Sequence, residues 1–317
     1  MKKSVSKTAL AALLIIFLFL VSCKAKGPGE TPQDTAAALQ QIKTGTQGVQ
    51  LQLIQDSPPS LLYDQNDLTA LVEVKNRGSY DLRAQDCFVQ VTGFDPNIIT
   101  GGFSSPRSCA ESLGVLEGKT LYNTEGSFNT LEFTSTINLP LNVQDYSPNL
   151  NFLTCYNYHT IASPSVCVDP MFYQVSADQK TCIPKDVLTA GGQGGPVGVT
   201  YVGVNMVGSK AIFEINVKNL GTGKVLSPYA SIQNCGQAPL DFKELNLVGY
   251  NVEMTGGGKI NCKPTDGFVR LTNGQGKIIC SFNIPGSAPF ETLLLVDLDY
   301  AYTQSIQKAI RIIKTPG

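Results

Sequence analysis

The chain has 317 residues, 24 Lys and Arg against 25 Asp and Glu, no Trp, nine Cys and one His. A net charge of −1 creates no field to draw it to nucleic acid, so no nucleic-acid partner is expected. With His159 alone and no C-x-x-C pair, the sequence offers no zinc spacing, and neither metal nor cofactor is expected.

Lys2, Lys3 and Lys7 precede an apolar run from Thr8 to Val21, too short to cross a hydrocarbon core of ~30 Å comfortably. Residues 1–22 therefore read as a signal peptide. The run ends on Leu20-Val21-Ser22-Cys23, which reads as a lipobox. Small side chains flank the scissile bond, where a peptidase must close over the chain. Cys23 becomes the first mature residue and carries a diacylglyceryl group, and two acyl chains anchor durably where one is marginal. The expected location is the extracytoplasmic face of the cell envelope, with the membrane as partner through that lipid. Setting Cys23 aside leaves eight cysteines, an even number suited to disulfides in an exported chain.

Residues 23–48, rich in Gly, Pro and polar side chains, read as a lipidated tether. From Val49 the texture changes to "VQLQLI", "LTALVEVKN", "CFVQVTGF" and "TLEFTSTINLP". Such period-two runs predict antiparallel strands with one buried face. They fill a first domain, 49–188. "TAGGQGGP" (189–196) reads as a flexible Gly-rich linker, and a second domain follows over 197–317. The two domains are copies. Lys75-Asn76-Arg77-Gly78 matches Lys218-Asn219-Leu220-Gly221, Ile137-Asn138-Leu139-Pro140 matches Phe282-Asn283-Ile284-Pro285, and "CYNYHTIASPSVCV" matches "DYAYTQSIQKAIRI" at nearly one spacing.

"VEVKNRGS" and "INVKNLGTG", a strand closed by a K-N-x-G turn, resemble CARDB-type cell-adhesion-related modules and other immunoglobulin-like sandwiches of microbial surface proteins. In that turn Asn caps its own backbone and Gly accepts a positive φ. The resemblance implies an all-β fold of two tandem immunoglobulin-like β-sandwich domains in an exported setting. It implies no ligand and no catalytic residue. Long insertions, 100–128 and 252–278, depart from the simple pattern.

Cys155 and Cys167 flank Ile161 symmetrically, as partners across a hairpin turning near Ser163-Pro164 would. Their counterparts in the second copy, Asp299 and Arg311, are an opposite-charge couple, which suggests that the two positions face each other. The preferred set is Cys155–Cys167, Cys87–Cys109, Cys262–Cys280 and Cys182–Cys235. A rival scheme matches Cys87 and Cys109 to Cys235 and Cys262 by repeat position, and spacing alone leaves it open.

No constellation commits the chain to catalysis. His159 would have to serve as the base of any Ser-His-Asp hydrolase, yet it is placed in the predicted hairpin turn, and no G-x-S-x-G elbow exists. "TGGGK" (255–259) and "NGQGK" (273–277) lack phosphate-loop spacing and read as turns. "YDQND" (63–67) offers oxygens to calcium but lacks the loop pattern of a calcium site. Asp297 and Asp299 share a strand face, which would suit a glycosidase pair or simply a solvated surface. Tyr156, Tyr158, Tyr300 and Tyr302 project alike from equivalent strands, either as a contact patch or as packing. The expected function is non-enzymatic: a structural, adhesive or protein-interaction lipoprotein of the envelope. The alternative is a solute- or glycan-binding lipoprotein with its site between the domains, near residues 191–196.

Overall fold

The computed structural model describes residues 42–174, 180–234, 236 and 241–316. The signal peptide, Cys23, most of the tether and Cys235 lie outside the described residues. The fold is all-β, as the alternation predicts, and among the described residues helix is limited to short turns such as Gly102–Ser104.

In the first half the principal strands are β1 (Val49–Leu53), β2 (Asp67–Asn76), β3 (Cys87–Thr92), β4 (Ile99–Gly101), β5 (Arg107–Ser108), β6 (Phe128–Ile137), β7 (Asn149–Ala162) and β8 (Ser165–Val168). In the second they are β9 (Val197–Val207), β10 (Lys210–Asn219), β11 (Leu247–Met254), β12 (Gly258–Lys263), β13 (Phe268–Arg270), β14 (Gln275–Asn283) and β15 (Phe290–Ala309). β2 shows why these segments are strands. Leu68, Ala70, Val72 and Val74, two apart, are fully buried, and the residues between them are at least partly exposed. Each half folds one antiparallel sheet of its own, in the order β1-β2-β6-β4 and β9-β10-β14-β12.

The remaining long strands form a third sheet, ordered β13-β11-β15-β7-β3-β5, which runs unbroken from the second half into the first. Its centre is β7 against β15, paired antiparallel from Asn149↔Ala309 to Ala162↔Val296. Tyr156 stands opposite Tyr302, Tyr158 opposite Tyr300, and Asn157 opposite Ala301 between them. Tyr156 is equivalent to Tyr300 and Tyr158 to Tyr302, so exchanging the copies returns the same pairs. A local two-fold axis therefore passes between Asn157 and Ala301. The described residues form one compact unit across it.

The hairpin at Ser163-Pro164 does not form. The chain runs straight on, and β8 continues pairing with β15, from Ser165↔Leu293 to Val168↔Phe290. Cys155 and Cys167 thus lie twelve positions apart along one extended line, on the order of 40 Å, where a disulfide needs Cα atoms within about 7 Å. Cys167 bonds Cys182 instead, with Cα atoms 6.0 Å apart. That linkage replaces both the Cys155–Cys167 and the Cys182–Cys235 pairings. Cys155 is itself disulfide-bonded. Nor do Asp299 and Arg311 face each other: Asp299 bonds His159, and Arg311 pairs with Asp145 at 2.7 Å.

Cys87 is bonded to Cys109, and Cys262 to Cys280. At the positions equivalent to Cys87 and Cys109, the second copy has Val248 directly opposite Val269, both buried. The Gly-rich linker is built into the structure. Gly45 N donates to Gly191 O (2.7 Å), Gly194 N to Gly45 O (2.9 Å) and Ser79 N to Gly194 O (2.8 Å), and Gly194 to Pro196 are buried.

Candidate functional site

The four tyrosines are not a surface patch: Tyr156, Tyr158, Tyr300 and Tyr302 are each 2% exposed or less. They line the two-fold axis as a ladder of rings, with Tyr156 and Tyr302 centroids 5.8 Å apart and those of Tyr158 and Tyr300 6.2 Å apart. The central sheet is covered on this face, so a side chain that alternates inward on β7 or β15 enters the core.

Two of the hydroxyls fasten the K-N-x-G turns, once in each copy. Tyr158 Oη accepts from Tyr80 N (3.3 Å) and lies 3.4 Å from Asn76 Oδ1; Tyr302 Oη accepts from Gly223 N (2.7 Å) and lies 3.1 Å from Asn219 Oδ1. Asn76 Nδ2 donates to Tyr80 O, and Asn219 Nδ2 to Gly223 O. Gly78 and Gly221 hold the approach open, because a Cβ at either would collide with the facing tyrosine hydroxyl. Burial pushes all four phenols above their ordinary value, so they stay neutral.

His159 sits mid-strand on β7 instead of in a turn, directly opposite Asp299 of β15. Its Nδ1 lies 2.7 Å from Asp299 Oδ1 and its Nε2 3.6 Å from Asp297 Oδ1. The Asp299 hydrogen bond raises the imidazole above its ordinary value and burial opposes it, with both carboxylates adding charge attraction. The two aspartates thus flank a histidine; they do not face one another across a cleft. Only the Asp299 contact is of hydrogen-bond length; Asp297 adds charge at a longer range.

Beside this triad opens a cleft of about 550 Å³ where the two halves meet. The first half contributes Tyr80, Asn157 and His159; the second contributes Tyr229, Tyr250, Asp266, Phe268 and Asp299. Tyr229 is 80% exposed and its ring lies 5.8 Å from that of Phe268, while Tyr80 lies 5.7 Å from the His159 ring. Pairing of β11 with β13 brings Phe268 opposite Gly249, next to Tyr250. A smaller groove of about 280 Å³ lies between β1 and β15, bordered by Pro196 and Leu220. Asn157, His159 and Asp299 are adjacent by register. Tyr80, Tyr229, Tyr250 and Phe268 carry no local sequence signal, since only the pairing of distant strands and loops assembles them.

The other motifs are spent on structure. Asp64 of "YDQND" accepts from Thr315 N (2.9 Å) and Thr315 Oγ1 (2.7 Å), which lowers its carboxyl. Asn273-Gly274 of "NGQGK" form a two-residue turn, with φ of 52° and 76°, closed by Thr272 and Gln275. Among the described residues, no group of three His, Cys, Asp or Glu side chains is placed to hold a metal ion.

No known protein family and no curated protein matches the chain. Among solved structures it is similar to the secreted serine protease VesC from Vibrio cholerae, at 13% identity over 82% of this chain and with a TM-score of 0.19. The chain spans about half (51%) of that protein's length, and a likeness of this degree carries no argument about fold or activity. Among the described residues no helix is long and apolar enough to cross a membrane. The disulfides fit an oxidising, extracytoplasmic compartment.

Proposed function

We propose that this chain is a non-enzymatic lipoprotein of the cell envelope, held at the outer side of the membrane by lipid on Cys23. It works through its surface as a structural, adhesive or protein-interaction module, in keeping with its resemblance to CARDB-type modules. The observation that carries this reading is the all-β architecture with a strand-paired centre, in which the one histidine, His159, is tied through Nδ1 to Asp299 of the facing strand. Labelling of cells with radioactive palmitate tests the anchor. Label on the wild type and none on Cys23→Ala is expected; label persisting on the variant removes the anchor.

The cleft favours a second reading, a solute- or glycan-binding lipoprotein with its site where the halves meet. Its volume falls in the range of ligand sites, and its mix of rings with a few convergent polar groups is what such sites use. A thermal-shift screen of the whole protein against sugars, peptides and metals separates the two. A saturable shift that Tyr229→Ala abolishes supports the second reading, and a flat response supports the first.

A further inference from the structure

The charge and the lining of the cleft say which ligand class it suits, given the reading of the cleft as a binding site. Its charged groups are Asp266, Asp299 and the titratable His159, with no Lys or Arg in the lining. Lys259 bonds Asn251 Oδ1 at the rim (3.0 Å) without lining it, and Asp81, Asp86 and Arg83 lie near enough to Tyr80 to act on its phenol. The balance is negative. Ring faces are electron-rich and carboxylates are anionic, so together they attract a cation. Rings make no hydrogen bonds, and a cation whose charge is spread over methyl groups asks for none.

The two-fold supplies an internal control. Tyr80, His159, Asp299 and Tyr250 correspond to Gly223, Thr303, Cys155 and Val89, by the register of β7 with β15 and of β3 and β11 with their neighbours. At these four positions the other copy builds the same architecture without the two tyrosine rings, the imidazole or the Asp299 carboxylate. Sheet packing does not require them.

We propose that the cleft binds a quaternary ammonium group, with Tyr80, Tyr229, Tyr250 and Phe268 supplying ring faces and Asp266 and Asp299 supplying charge. Calorimetric titration of the full chain tests this with choline, its neutral isostere 3,3-dimethylbutan-1-ol, and phosphocholine. Saturable choline binding is expected, with the isostere at least about tenfold weaker because it lacks only the charge. Phosphocholine weaker than choline marks a free solute as the source. Phosphocholine binding more tightly supports the ammonium site with a lipid headgroup as its source. Tyr229→Ala, on an exposed ring, and Asp266→Asn each weaken choline by about tenfold at an unchanged melting temperature. Equal binding of choline and isostere, or no choline binding, overturns the proposal. If sugars still bind saturably and lose that binding in Tyr229→Ala, the binding-site reading stands and only the ligand class falls.

Discussion

His159 owes its raised proton affinity chiefly to Asp299, and the sign of that shift fixes when the contact contributes to stability. The folded pKa lies above the unfolded one. The contribution is therefore complete below about 6.5 and is lost as pH rises through the folded value. Asp299→Asn should lower unfolding stability by about 0.5–1 kcal/mol at pH 5 and by almost nothing at pH 9, measured by urea melts at the two pH values. Equal losses at both would show that charge is not what the pair supplies. At the K-N-x-G turns, Gly221→Ala drives a Cβ into the Tyr302 hydroxyl and should cost about 1–3 kcal/mol. Gly78→Ala should cost more, because its Cβ meets the backbone carbonyls of Gly194 and Gln47 as well as Tyr158. Thermal denaturation of the two variants ranks them.

At the scale of elements, the decisive feature is the straight run of β7 into β8. A proline usually ends a strand, because it has no N–H to donate. Here Pro164 O still accepts from Leu294 N (3.0 Å), and β3 covers β7 only between Asn151 and Tyr156. A strand residue turns both groups to the same neighbour, so the donor that proline lacks would have faced Leu294 O, and the pairing runs on without that one bond. Ser163-Pro164 reads as a turn in sequence because composition cannot report that the pairing on either side is long enough to carry the strand past one lost bond. The misplaced hairpin then carried Cys155, Cys167 and His159 with it. Non-reduced peptide mapping should find Cys167 joined to Cys182. Cys182→Ser should cost about 3 kcal/mol, from the 15-residue separation that the bridge closes. By contrast, the strands themselves were legible wherever burial alternates, as in β2 and β10, whose "DLTALVEVKN" and "KAIFEINVKN" both bury every second residue over most of their length.

For the whole molecule, the repeat was visible in sequence but its geometry was not. Matching "CYNYH" with "DYAYT" identifies equivalent strands, and nothing local says that those strands meet each other. That pairing is a contact between residues about 140 apart, fixed by two complementary edges and a shared row of buried rings. The same holds for the cleft, whose rings come from Tyr80 and from three separate places in the second half. Expressed alone, residues 197–317 would expose the edge of β15 that β7 covers, an unpaired strand edge of the kind that templates association. That fragment should elute as a dimer or larger species in size-exclusion chromatography. A well-folded monomer would show that the shared sheet is dispensable.

One consequence follows from the sulfur bridge of Cys87 and Cys109 standing where the other copy has Val248 and Val269. A reductant able to reach the interior would cut a covalent strut on one side of the axis and leave an aliphatic contact untouched at the equivalent point. Chemically matched scaffolds would then age unequally, the first copy loosening with the redox poise of its surroundings while the second is indifferent to it at that position.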